Sequence, residues 1–130
     1  MKQAELIEMA KKAMDGAYAP YSGFRVGAAL LCADGTVYTG CNIENASYSP
    51  TICAERTAFA KAVSEGKRAF TAIAICGGKD GEISGICPPC GVCRQVMAEF
   101  CRPDFEILLV KPEGYETRRL SQLLPDSFTL

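Results

Sequence analysis

The chain has 130 residues, 14 basic against 15 acidic, a formal charge of −1, eight cysteines and no histidine. That length suits one domain, residues 1–130, with a core that needs no disulfide staples. The basic residues are scattered or merely paired (Lys67–Arg68, Arg118–Arg119), which argues against a nucleic-acid or membrane-surface partner.

In chain order, Leu6, Ala10, Ala13, Met14 and Ala17 recur at helical spacing, predicting an amphipathic helix over about 3–15 that ends near Gly16. Glu5 and Glu8 lie within its first turns and exclude a secretory h-region, and no apolar run approaches the roughly 18 residues of a membrane span. A cytoplasmic location is therefore expected. "APYSGF" (19–24) is a turn-rich connection. "RVGAALLCA" (25–33) and "TVYTGC" (36–41) read as strands of a hairpin turning at Asp34–Gly35. "NIENASYSPTI" (42–52) reads as a loop. Ala54, Ala58, Ala62 and Val63 predict a second helix that closes at Gly66.

"TAIAIC" (71–76) is a short apolar run typical of a strand covered on both faces, followed by an expected flexible loop, "GGKDGEISG" (77–85). Val92, Val96, Met97 and Phe100 mark a third helix halted by Pro103. "FEILLV" (105–110) is another buried strand, "ETRRL" a short edge strand, and "LSQLLPDSF" a terminal turn. Strand, helix, strand, helix, strand from 36 to 110 implies an α/β fold with parallel neighbours joined by crossovers. The starts of the second and third helices, at "CAERTA" and "PCGVC", should then meet at the carboxyl edge of the sheet, where open α/β sheets hold their ligands.

Without an export signal, the cysteines are expected as thiols or metal ligands. Without histidine, acid–base work falls to a carboxylate, a metal-bound water, or a tuned Cys, Lys or Tyr. Cys90 and Cys93 have the C-x-x-C spacing of either a redox pair or half a zinc site. Cys53, at the neighbouring helix start, supplies a third sulfur, and helix starts favour the metal-binding thiolate. Three thiolates point to zinc with a fourth position to fill. Cys87 could close a structural knot of four sulfurs, although Pro88 and Pro89 make that convergence harder. Alternatively the position stays open for water, with Glu55 beside it as a proton carrier. A first-turn glutamate can also serve only to compensate the helix dipole. Cys-Ala-Glu combined with Pro-Cys-x-x-Cys is the pattern of zinc deaminases, which favours the catalytic site with Glu55 as acid/base. Cys32, Cys41, Cys76 and Cys101 read as small buried hydrophobes.

With "NIENASYSPTICAERTA" and "PPCGVCRQV" in view, the chain resembles the small, homotetrameric type of cytidine deaminase, from "YAPYSGFRVGAAL" to "LLPDSF". The resemblance implies a three-layer α-β-α fold with a mixed sheet of about five strands. It also implies one Zn2+ per subunit on Cys53, Cys90 and Cys93. Cytidine and deoxycytidine would be deaminated to uridine and deoxyuridine plus ammonia, zinc-bound hydroxide attacking C4 with Glu55 as proton shuttle. By the same carry-over Asn42 and Glu44 hold the ribose, Phe24 lines the pyrimidine pocket, and the backbone of Ala54 reads the base edge. Arg56 hydrogen-bonds the ligand sulfurs, and Tyr48 and Phe128 complete the pocket across a subunit boundary of a homotetramer. The implied partner is a small nucleoside in pyrimidine salvage, with neither nucleic acid nor membrane. A deaminase of another small amine, a nucleic-acid-editing deaminase and an inactive zinc-stabilised interaction module are the competing readings. The last of these requires Cys87 as a fourth ligand.

Overall fold

Apolar residues alternating between two faces build a five-stranded sheet with helices on both sides. The computed structural model describes residues 1–130. Its elements are α1 (Gln3–Met14), β1 (Phe24–Cys32), β2 (Val37–Cys41), α2 (Ala54–Ser64), β3 (Phe70–Lys79), α3 (Gly91–Phe100), β4 (Glu106–Val110), β5 (Tyr115–Arg119) and the short α4 (Leu120–Leu123). On one face Val26, Ala28, Leu30, Ile73, Ile75, Ile107 and Leu109 pack against Ala54, Ala58, Phe59 and Ala62 of α2 and Met97 of α3. On the other, Ala29, Ala72, Ala74, Leu108 and Val110 lie beneath Leu6, Ile7, Ala10 and Met14 of α1. The strand period of two thus feeds two separate cores, giving three layers, α/β/α.

The sheet order is β2-β1-β3-β4-β5. This corrects the expectation that β2 and β3 are neighbours. The hairpin turn bonds β2 to one edge of β1, and β3 pairs antiparallel along the other edge, from Phe24↔Lys79 to Cys32↔Phe70. Only β3 and β4 are parallel neighbours. Since β1 is antiparallel to both flanking strands, β2 and β3 still run the same way, and α2 and α3 begin at the same edge.

A second correction concerns residues 77–79. They continue β3 rather than opening a loop, because two glycines let the following segment fold back onto the strand. A Cβ at Gly78 would fall 1.7 Å from the Glu82 carbonyl oxygen. Of the four remaining cysteines, Cys32 and Cys76 are buried as expected, whereas Cys41 and Cys101 are only partly so.

Two other glycines set the distance between layers. A Cβ at Gly27 would lie 2.1 Å from the Ala10 carbonyl oxygen of α1, and one at Gly40 would lie 2.4 Å from that of Ala54 in α2. Both neighbours are backbone and cannot swing aside, so a methyl group there must push a helix off the sheet. Gly27→Ala and Gly40→Ala are each expected to cost about 2 kcal/mol or more in urea unfolding. Gly85→Ala, which meets open space, should stay within about 0.5 kcal/mol of the parent protein.

Candidate active site

Cys53 and Cys90 occupy the N-cap positions of α2 and α3 in extended backbone conformation, and neither side chain caps its helix. Their sulfurs are therefore free to face each other. Cys53 Sγ lies 3.8 Å from Cys90 Sγ, Cys90 Sγ lies 3.5 Å from Cys93 Sγ, and all three fall within 4.8 Å of one another. Zinc–sulfur bonds of about 2.3 Å at tetrahedral angles separate two ligand sulfurs by about 3.8 Å, so the trio has the spacing of a zinc cage. Cys87 is not among the converging sulfurs.

Cys53 is the member of the trio that favours its charged form. A hydrogen bond with Cys93, reinforced by Arg56 and Cys90, pulls the Cys53 thiol down to about 5. The same bond, together with burial, pushes Cys93 in the opposite direction, as the member that keeps the proton. Arg56 Nη2 donates to Cys53 Sγ at 3.5 Å, and this bond raises the affinity of the guanidinium for its own proton. Its Nε–H is buried without a partner. Glu55, the one buried charged residue, is 4% exposed. Burial pushes its carboxyl up to about 7, and the charge of Cys53 adds to that push. A carboxyl poised near neutrality can both take and give a proton.

β1 is antiparallel to β3, so its first residue, Phe24, lies at the same edge as the start of α3. Asn42 is stitched to that strand: its Oδ1 accepts from Val26 N at 2.9 Å and its Nδ2 donates to the Phe24 carbonyl at 2.8 Å. Glu44 Oε1 accepts the amides of Tyr21 at 2.9 Å and Ser22 at 3.1 Å, while Oε2 accepts the Ser22 hydroxyl. The Ser22 hydroxyl is the main cause holding the Glu44 carboxyl below its usual range. The loop carrying both residues is pinned ahead of Cys53 by paired backbone bonds between Ile43 and Ile52, each 3.0 Å. Phe24, Val26 and Cys87 converge over Gly77, where a Cβ would lie 3.0–3.1 Å from all three. Burial, and secondarily the charge of Glu55, pushes Cys87 up to about 12. The ring of Phe24 thus neighbours Cys87 over Gly77.

Ala54, fully buried, opens α2 beside the trio. Tyr48 is 90% exposed and lines a cleft of about 420 Å³ with Tyr21, Ser22, Glu44, Asn45 and Thr51. Phe128 is 68% exposed on the C-terminal tail, where its carbonyl accepts from Gln95 Nε2 at 3.2 Å. Sequence reasoning missed two residues. Ser22 reads as an ordinary turn former, yet it bridges Glu44 and Phe24. Arg94 follows the second cysteine of C-x-x-C and donates to the carbonyls of Pro89 and Leu123, each at 2.7 Å. Its position directly after the motif was the only available signal.

Residues 1–108 match the family described as the cytidine and deoxycytidylate deaminase zinc-binding region. The chain is 52% identical to a cytidine deaminase of Sporosarcina psychrophila over 99% of its own length and 93% of the relative's. It is 51% identical to one of Halalkalibacterium halodurans, covering 99% and 96% of the two chains. Its fold superposes on the crystal structure of cytidine deaminase from Burkholderia pseudomallei with a TM-score of 0.91, at 48% identity and covering 98% and 100% of the two chains.

Removing one sulfur of the trio should release metal and lower stability, since bound metal contributes folding free energy. Cys53→Ala and Cys93→Ala are expected to emerge from dialysis depleted of zinc, by elemental analysis, whereas Cys87→Ser keeps the parent protein's content. Full zinc retention in Cys53→Ala would take that sulfur out of the cage.

Proposed function

The chain belongs to the cytidine and deoxycytidylate deaminase family, and on that premise we propose that it hydrolyses cytidine and deoxycytidine to uridine and deoxyuridine plus ammonia. The observation that carries this reading is the meeting of three sulfurs at two helix starts beside a buried carboxyl.

Cys53, Cys90 and Cys93 would hold one zinc ion per chain, soft donors at tetrahedral spacing being suited to that metal. Zinc bound there supplies Lewis-acid chemistry, making a water nucleophilic near neutral pH. Glu55 moves the protons. It accepts one from the water that adds at C4 of the base, passes it to N3, and then carries one to the departing amine. A single carboxyl whose burial raises its proton affinity serves in both directions. Arg56 draws charge from the Cys53 sulfur, which offsets the excess negative charge of a three-thiolate site.

Phe24 lines the pyrimidine pocket, and Ala54, at the start of α2, offers an amide beyond the helix's internal bonding to the base edge. Asn42 and Glu44 hold the sugar, and their remaining bonding capacity supports both substrates. Three of the roughly four acceptor positions of Glu44 are taken by Tyr21 and Ser22, and Asn42 has one N–H and one Oδ1 lone pair left. A single sugar hydroxyl can engage one acceptor and one donor of this set, so deoxycytidine, which keeps the 3′-hydroxyl, can still be held. The carboxylate also repels phosphate, favouring nucleosides over nucleotides.

Tyr48 and Phe128 complete the pocket of a neighbouring subunit in a homotetramer. Support comes from these two exposed aromatics and from an apolar cleft between α2 and α3, lined by Ile52, Phe59, Val63, Val96 and Phe100. All eight cysteines are unpaired, which suits a reducing cytoplasm and a role in pyrimidine salvage. No helix is long and apolar enough to cross a membrane, and the near-neutral charge suits a small-molecule substrate.

The test is the ultraviolet change when purified protein meets cytidine or deoxycytidine, with adenosine and cytosine as controls. Turnover of adenosine and not cytidine would overturn the assignment. Glu55→Gln is expected to keep zinc and fold but lose about a thousandfold or more in kcat. Near-normal turnover in that variant would remove Glu55 from the chemistry.

A further inference from the structure

We propose that Ser22 is a positioning residue for substrate recognition, its hydroxyl aiming the one free acceptor of Glu44 at the sugar. The inference rests on the reading above that Glu44 meets the sugar, and adds a residue that acts through it.

The bonding capacity of Ser22 leaves its proton one destination. Its Oγ accepts the Phe24 amide at 2.9 Å and donates to Glu44 Oε2. A hydroxyl has a single proton, so Ser22 is committed as donor to that oxygen. Glu44 Oε1 is already occupied by the amides of Tyr21 and Ser22. Oε2 is therefore the oxygen with capacity left for a ligand, and Ser22 decides which way that capacity faces. The terminal torsion of a glutamate is soft, so two amides on Oε1 alone leave the plane of the carboxylate free to turn.

The turn that presents the hydroxyl is held by bonds independent of it. Lys79 Nζ, at the end of β3, donates to the Ser22 carbonyl at 2.6 Å. The Gly23 amide donates to the Ala19 carbonyl at 2.9 Å, and the Asp80 amide to the Gly23 carbonyl at 2.7 Å. Gly23 has φ +70, the left-handed region that lets the chain reverse here without strain. Removing the hydroxyl should thus leave the turn, and the two amides on Oε1, in place. The same hydroxyl joins the sugar-facing carboxylate to the backbone of Phe24, whose carbonyl Asn42 holds.

The experiment compares cytidine with 2′,3′-dideoxycytidine, which lacks the sugar hydroxyls at issue, in the full-length zinc-loaded protein. Ser22→Ala is expected to lower kcat/KM for cytidine about tenfold, mainly through KM. Its kcat/KM for the dideoxy compound should change by no more than about twofold, so discrimination between the two narrows. Ser22→Thr, which keeps the hydroxyl, should restore it. Equal losses on both substrates, or no loss on either, would overturn the proposal, because a merely structural role cannot tell the sugars apart. Glu44→Gln is measured alongside. If it narrows discrimination and Ser22→Ala does not, the role of Ser22 fails alone. If Glu44→Gln leaves discrimination intact, the sugar-binding reading of Glu44 fails, and this proposal with it.

Discussion

The shared direction of β2 and β3 is the constraint on which the site depends. Each strand delivers the helix that follows it to the same edge, and each of those helices is preceded by a cysteine in extended conformation. β1 lies between the two strands and runs against both, so it brings its own beginning, with Phe24, to that edge as well. One sheet register therefore assembles sulfur, carboxyl and aromatic ring from segments more than sixty residues apart in sequence. Gly40 contributes by letting the backbone of α2 approach β2, which sets the depth at which Cys53 and Glu55 sit.

The electrostatics follow from that depth. A carboxyl at the start of a helix would ordinarily be favoured in its charged form. Here burial and the neighbouring sulfur charge outweigh the helix, and the proton affinity of Glu55 rises. Arg56, next in the chain, turns to Cys53 instead of neutralising the carboxyl outright. The cation thus pairs with the Cys53 sulfur and leaves the Glu55 carboxyl with its raised proton affinity. Three consecutive residues of one helical turn, Ala54, Glu55 and Arg56, consequently sit in three different environments: packed in the core, buried with a raised proton affinity, and paired with a sulfur.

Local pattern was enough to read the helices and strands to within a few residues, because each apolar stripe matches the face its element buries. The convergence of Cys53, Cys90 and Cys93 was also readable, since element order alone places both helix starts at one edge. The insertion of β1 between β2 and β3 was not. Hairpin signals say which strands are joined and nothing about which strand takes the outer edge of β1. Gly77 and Gly78 read as loop because glycine weakens strands in general, and the segment that needs their bareness lies beyond the window of local pattern. Ser22 was silent for a similar reason: its partner Glu44 is 22 residues away, and a serine between Tyr and Gly looks like any turn.

Arg94 couples two distant parts of the chain. Its guanidinium spans the carbonyls of Pro89 and Leu123, so the segment leading into Cys90 leans on the last helical turn of the protein. The sulfurs at 90 and 93 lie on the braced segment, whereas the one at 53 lies at the start of α2, outside it. The pair at 90 and 93 therefore leans on a contact made 29 residues further along the chain than Arg94. Loss of that one contact would loosen two of the three converging sulfurs together and leave the third in place.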